Sequence, residues 1–137
     1  MVALLVSETR TPTMMDLLRR DRECLIWWAT RTECLSGLHR RTRDGELDSV
    51  QFEAARDRLH RFDQEAAVVL PSEAIRARAE RLLGLHALRA GDAFQLAALL
   101  VAAEERPVEF PFVTLDDRLA EAARREGFSV LPARPLP

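Results

Sequence analysis

Short apolar runs alternate with helical patterns along the whole chain. "CLIWW" at 24–28, "AAVVL" at 66–70, "FPFVT" at 110–114 and "FSVL" at 128–131 have the length and the β-branched or aromatic content of buried strands. Between them the spacing predicts helices. The segment after Thr30 carries Leu35 and Leu38, and the next places Phe52, Ala55, Leu59 and Phe62 on one face. Ile75, Ala79, Leu82 and Leu83 mark a third helix, and residues 93–104 form a nearly all-apolar fourth. Leu119, Ala122 and Ala123 mark a fifth, which should stop at Gly127. Helices alternating with buried strands predict an α/β fold: a mostly parallel sheet covered by helices on both faces.

The 137 residues are read as a single domain, 1–137, long enough to bury one core. A hydrophobic content of 47% with 31% charged residues is ordinary for a globular chain. No apolar run reaches the roughly 18 residues of a membrane span, so a soluble protein without a membrane partner is expected. The opening "MVALLVSE" lacks a basic start and a small-residue cleavage site, and a cytoplasmic location is the expectation.

A net charge of −2 argues against wrapping nucleic acid by bulk positive charge. All 20 positive side chains are Arg, and Lys, Asn and Tyr are absent, a pattern that fits a G/C-rich genome. That bias weakens any case that Arg was selected for phosphate, although every cation can still make such a contact. "HRRTRDG" at 39–45 reads as a solvated helix end whose charge suits the dipole. Cys24 and Cys34 lack metal or catalytic spacing and read as buried reduced thiols. His39, His60 and His86 read as surface or hydrogen-bonded histidines, and Trp27 and Trp28 as packing at a strand end.

The carboxylates are more informative. Parallel strands end at one edge, where open α/β folds bind ligands. Glu33 follows "LIWWAT" and Asp116 follows "PFVT", so both should share that edge. Asp92 opens "GDAFQLAAL" with no strand before it, so periodicity does not say which edge it faces. Each acid also has a local role open to it. Thr30 with Glu33 fits a capping box, Asp92 fits an N-cap, and Thr114 with Asp117 fits a box-like helix start. Carboxylates that converge repel one another, and such a cluster persists when a hard cation neutralises it.

These residues carry a resemblance. "TRTECLSGLHRRTRDGEL", "LRAGDAFQLAAL" and "FVTLDDRLAEAARREGFSVL" resemble, in order and spacing, the acid-bearing segments of the PIN-domain nucleases, in particular the VapC-type toxins of bacterial toxin–antitoxin pairs. The likeness covers nearly the whole chain, and its middle block is the most specific. It implies that Glu33, Asp92 and Asp116 are the catalytic metal-site acids, binding Mg²⁺ or Mn²⁺, with Asp92 both capping and coordinating. Asp117 is implied as an adjacent carboxylate that either supports the metal or caps its helix. The implied reaction is hydrolysis of RNA phosphodiester bonds, the metal orienting and deprotonating a water for in-line attack and neutralising charge on the transition state. The implied partners are RNA, a cognate antitoxin and a second copy in a homodimer.

One part of the family pattern is missing. The family begins with a central strand ending in Asp and a small hydroxyl residue, and this chain begins inside the following helix, at "VALLVSE". The expectation is a start set too late rather than a degenerate protein, since the downstream acids stand in place. Codons upstream of Met1 are then expected to encode that strand. Two other classes compete. A phospho-receiver domain also gathers carboxylates at strand ends but needs a Lys, which this chain lacks. A non-catalytic PIN-like module that binds antitoxin or RNA is favoured by the absent first acid.

Overall fold

The computed structural model describes residues 1–7, 9–21 and 23–133. The elements run α1 (Val2–Leu5), α2 (Thr11–Arg20), β1 (Leu25–Trp27), α3 (Thr30–Arg43), α4 (Ser49–Glu65), β2 (Ala67–Val69), α5 (Glu73–Leu85), α6 (Ala90–Ala102), β3 (Pro111–Val113), α7 (Asp117–Arg125) and β4 (Ser129–Leu131). The chain is therefore mixed α/β. Each apolar run expected to be a strand contains one, and each of the helical patterns is a helix. Periodicity left α2 unmarked. Its apolar positions come as the pairs Met14-Met15 and Leu17-Leu18, and Pro12 in its first turn is the local signal of its start. Among the described residues no helix is long and apolar enough to cross a membrane.

The chain forms two compact units, Met1–Ala67 and Val68–Pro137. In the first, α1, α3 and α4 pack on one another. Their shared core is Leu5, Val6, Cys34, Leu38, Ala55 and Leu59, with Met1, Leu35, Leu47 and Phe52 against it. The i, i+4 spacing of Cys34 with Leu38, and of Ala55 with Leu59, puts each pair on one helix face. Arg58 Nη1 donates to the Leu5 carbonyl at 2.6 Å, supplying a partner to the open end of α1. A reciprocal box starts α4, Gln51 N–H donating to Asp48 at 2.8 Å while Asp48 N–H donates to Gln51 Oε1 at 2.9 Å.

In the second unit α5 packs along α6, α6 touches α7, and α7 lies against β4. The buried faces are Ile75, Ala79 and Leu82 on α5, Ala93, Leu96, Ala97 and Leu100 on α6, and Leu119, Ala120, Ala122 and Ala123 on α7. β3 and β4 are parallel, in the register Pro111↔Ser129, Phe112↔Val130 and Val113↔Leu131. The α7 crossover makes that pairing possible. Helix α7 ends as expected at Gly127, whose φ of +97° suits a residue without Cβ. Gly127 N–H bonds Arg124 and Phe128 N–H bonds Ala123, both at 3.0 Å. A Cβ at Gly127 would lie 3.1 Å from Pro107 Cγ, so close approach also favours glycine there.

The expected single sheet is not what forms. The described strands make two separate two-stranded sheets, β1–β2 and β3–β4. Each strand is only three residues long, and among the described residues no further strand joins the pairs. Trp28 also differs from expectation. Trp27 ends β1 and the chain turns away, leaving Trp28 59% exposed in edge-on contact with Trp27 at 6.5 Å.

Candidate acidic site

Glu33 lies in the first turn of α3, half-buried, with Cys34 behind it in the core. The expected capping box with Thr30 is absent. The helix begins one residue earlier than that box requires: Ala29 is the N-cap, its backbone is already helical, and its carbonyl accepts the Glu33 N–H at 3.0 Å. Thr30 is inside the helix and only 8% exposed. The Glu33 carboxylate thus sits where the helix dipole favours negative charge.

Asp92 is likewise not the cap. Gly91 does not hold the chain out of the helix; α6 starts at Ala90, Arg89 is the N-cap, and Asp92 is the third helical residue. No side chain caps this helix. The Asp92 carboxylate is half-buried, and among the described residues it has no hydrogen bond or ion pair. Next to it begins the apolar face of Ala93, Leu96 and Ala97, all 0% exposed.

At the third acid the roles expected of two neighbours are exchanged. Asp116 rather than Asp117 caps α7, its Oδ1 accepting from Arg118 N–H at 2.9 Å and from Leu119 N–H at 3.0 Å. The Asp116 backbone is extended, and its N–H donates to Thr114 Oγ1 at 3.1 Å. Thr114 therefore braces the cap from the turn after β3 instead of capping the helix itself. Asp116 Oδ2 has no partner among the described residues. Asp117 is the first residue inside the helix, exposed to solvent.

The three carboxylates are of the type that hard divalent cations bind. Among the described residues, however, no group of three or more His, Cys, Asp or Glu side chains is gathered as a metal would need. What the fold supplies is one acid in the first turn of α3, one in the first turn of α6 and one at the cap of α7. In the first unit a cavity of about 360 Å³ is lined by Met15, Leu18, Arg19, Cys24, Phe62, Glu65 and Ala66. None of the candidate acids lines it.

Neither cysteine competes as a nucleophile. Burial raises both thiols above their ordinary pKa, with Asp21 adding to the effect at Cys24 and Glu33 at Cys34, so both stay protonated near neutral pH. His39 packs its ring on Phe52 at 4.7 Å. His86 pairs with Glu126 across 40 residues of sequence, an arrangement for which the sequence holds no local signal.

Compared with known protein families and with curated proteins, the chain matches none.

Proposed function

We propose that this chain is a metal-dependent endoribonuclease of the PIN-domain, VapC type, the toxin of a toxin–antitoxin pair acting in the cytoplasm. Glu33, Asp92 and Asp116 are its metal-binding acids and Mg²⁺ or Mn²⁺ its cofactor. RNA is its substrate, a cognate antitoxin its partner, and a homodimer its assembly. Support comes from the order and spacing of the acid-bearing segments and from the mixed α/β fold that puts each acid at the start of a helix.

The observation that carries the reading is Asp92. A half-buried carboxylate beside an apolar helix face, neither capping nor paired among the described residues, is left with its oxygens open to a further partner. An unpaired carboxylate beside an apolar face is a group that a bound cation can neutralise. A divalent cation would do so, and would supply an acidified, oriented water and charge neutralisation at the phosphate. The chain's own residues hold charge in place. Two backbone N–H groups fix Asp116 Oδ1 and leave Oδ2 for a further partner, while Glu33 and Asp92 stand in first helical turns, where the dipole suits negative charge.

A second reading is a PIN-like module that holds RNA or antitoxin without cleaving. It is favoured by the absence of a gathered acid group among the described residues. Incubating the purified chain with labelled RNA in Mg²⁺, in Mn²⁺ and in chelator separates the two. Cleavage that needs the metal is expected of the nuclease, and metal-independent binding without cleavage of the module. Arrest of growth on expression, relieved by a cognate antitoxin, tests the toxin role.

A further inference from the structure

The described arginines of the second unit differ in their partners. Arg76, Arg78, Arg81, Arg106 and Arg125 each pair with a glutamate. Arg89 and Arg118 are exposed and have no ion pair or side-chain hydrogen bond among the described residues. Both also stand where their own backbone disfavours a cation. Arg89 is the N-cap of α6 and Arg118 the second residue of α7, whereas Arg124, which also lacks a pair, occupies the last turn of α7, where the dipole favours it. Carboxylates are near in sequence, Asp92 three residues after Arg89 and Asp116 two before Arg118, yet neither is paired with its arginine.

We infer that Arg89 and Arg118 are the phosphate-binding residues of the RNA site, Arg89 standing three residues before Asp92 in sequence and Arg118 two residues after Asp116. The inference rests on the nuclease reading for the identity of the ligand. A guanidinium presents a planar fork of donors matched to two phosphate oxygens, and an unpaired exposed fork is free to take them. The contact belongs to the side chains. On α7 the helix-end N–H groups of Arg118 and Leu119 are already taken by Asp116 Oδ1.

The test is binding of a fluorescent single-stranded oligoribonucleotide of mixed sequence to the full chain in chelator, across a salt series. Arg89→Ala and Arg118→Ala are compared with the parent and with Arg76→Ala and Arg125→Ala, which remove the same charge from paired positions. Each of the first two should weaken binding and lower the slope of log affinity against log salt by about 0.7, the loss of one single-strand phosphate contact. Melting temperatures should hold or rise in both, because a cation opposing the dipole has gone. The controls should bind with the parent slope. An unchanged slope in Arg89→Ala and Arg118→Ala, an equal fall in the controls, or no binding by the parent would overturn the assignment. If the arginine effects appear but the parent fails to cleave RNA in Mg²⁺, the nuclease reading fails and the arginine assignment stands.

Discussion

His86 Nε2 lies 2.7 Å from Glu126 Oε1, tying the residue after α5 to the residue after α7. The side chains are 7% and 11% exposed, and Arg81 Nη2 reaches the other carboxylate oxygen at 2.8 Å from a 43% exposed position. Removing Glu126 strands a buried ring nitrogen, whereas removing Arg81 returns a carboxylate oxygen towards solvent. Glu126→Ala should therefore cost about 2 kcal/mol in urea unfolding, and Arg81→Ala less than about 1 kcal/mol. Equal losses from the two would show that the His86 contact adds nothing.

The two thiols give the chain a stability limit on the alkaline side. Burial raises the folded-state pKa of Cys24 and Cys34 above the ordinary value of 9.0. A raised pKa means that the folded state holds its proton longer than the unfolded state. The contribution is full below the unfolded thiol's pKa and is lost as pH rises through the folded value. The sequence contains no Lys or Tyr, so no amine or phenol side chain titrates in the same window. Melting temperature should fall as pH is raised above about 9, and the fall should shrink in Cys34→Ala once its lower starting stability is subtracted. A decline of the same size in the cysteine-free protein would show that the thiols are not its source.

At Asp116 capping and charge can be separated. Asn caps about as well as Asp, so Asp116→Asn should unfold within a few tenths of a kcal/mol of the parent, while Asp116→Ala should lose about 1 kcal/mol. If Asp116 also holds the metal, both variants should lose Mg²⁺-dependent cleavage. Loss of cleavage in Asp116→Ala alone would assign the residue to the cap and nothing more.

The local pattern made the strands and most of the helices legible. "AAVVL" is short, carries two β-branched residues and is closed by Pro71, "FSVL" is bounded by Gly127 and Pro132, and α6 is nearly all apolar. The helix starts were less legible. Thr30 and Asp92 are good cap residues by type, but the cap falls on Ala29 and Arg89, because where the backbone turns helical is set by the preceding chain as well as by side-chain preference. The division of four strands into two sheets was hidden because strand pairing is not written in any one segment. For the same reason the His86–Glu126 pair went unseen. The acids themselves were legible as residues after strands or before helices; which of them caps was not, and it is Asp116 rather than Asp92 that does so.

The most direct measurement is Mg²⁺-dependent RNA cleavage by Asp92→Asn beside the parent, with thermal melting of both in chelator. Asn keeps the shape and removes one negative charge that has no partner among the described residues. Melting in chelator should stay close to the parent's, since Asn keeps the shape and only one first-turn charge has gone, while cleavage should fall by about a hundred-fold or more, as expected for a ligand whose loss costs at least what a supporting residue does. Parent-like cleavage by Asp92→Asn, with the parent's dependence on Mg²⁺, would contradict the assignment of Asp92 to the metal, and a parent chain that cleaves no RNA in Mg²⁺ or Mn²⁺ would contradict the nuclease itself.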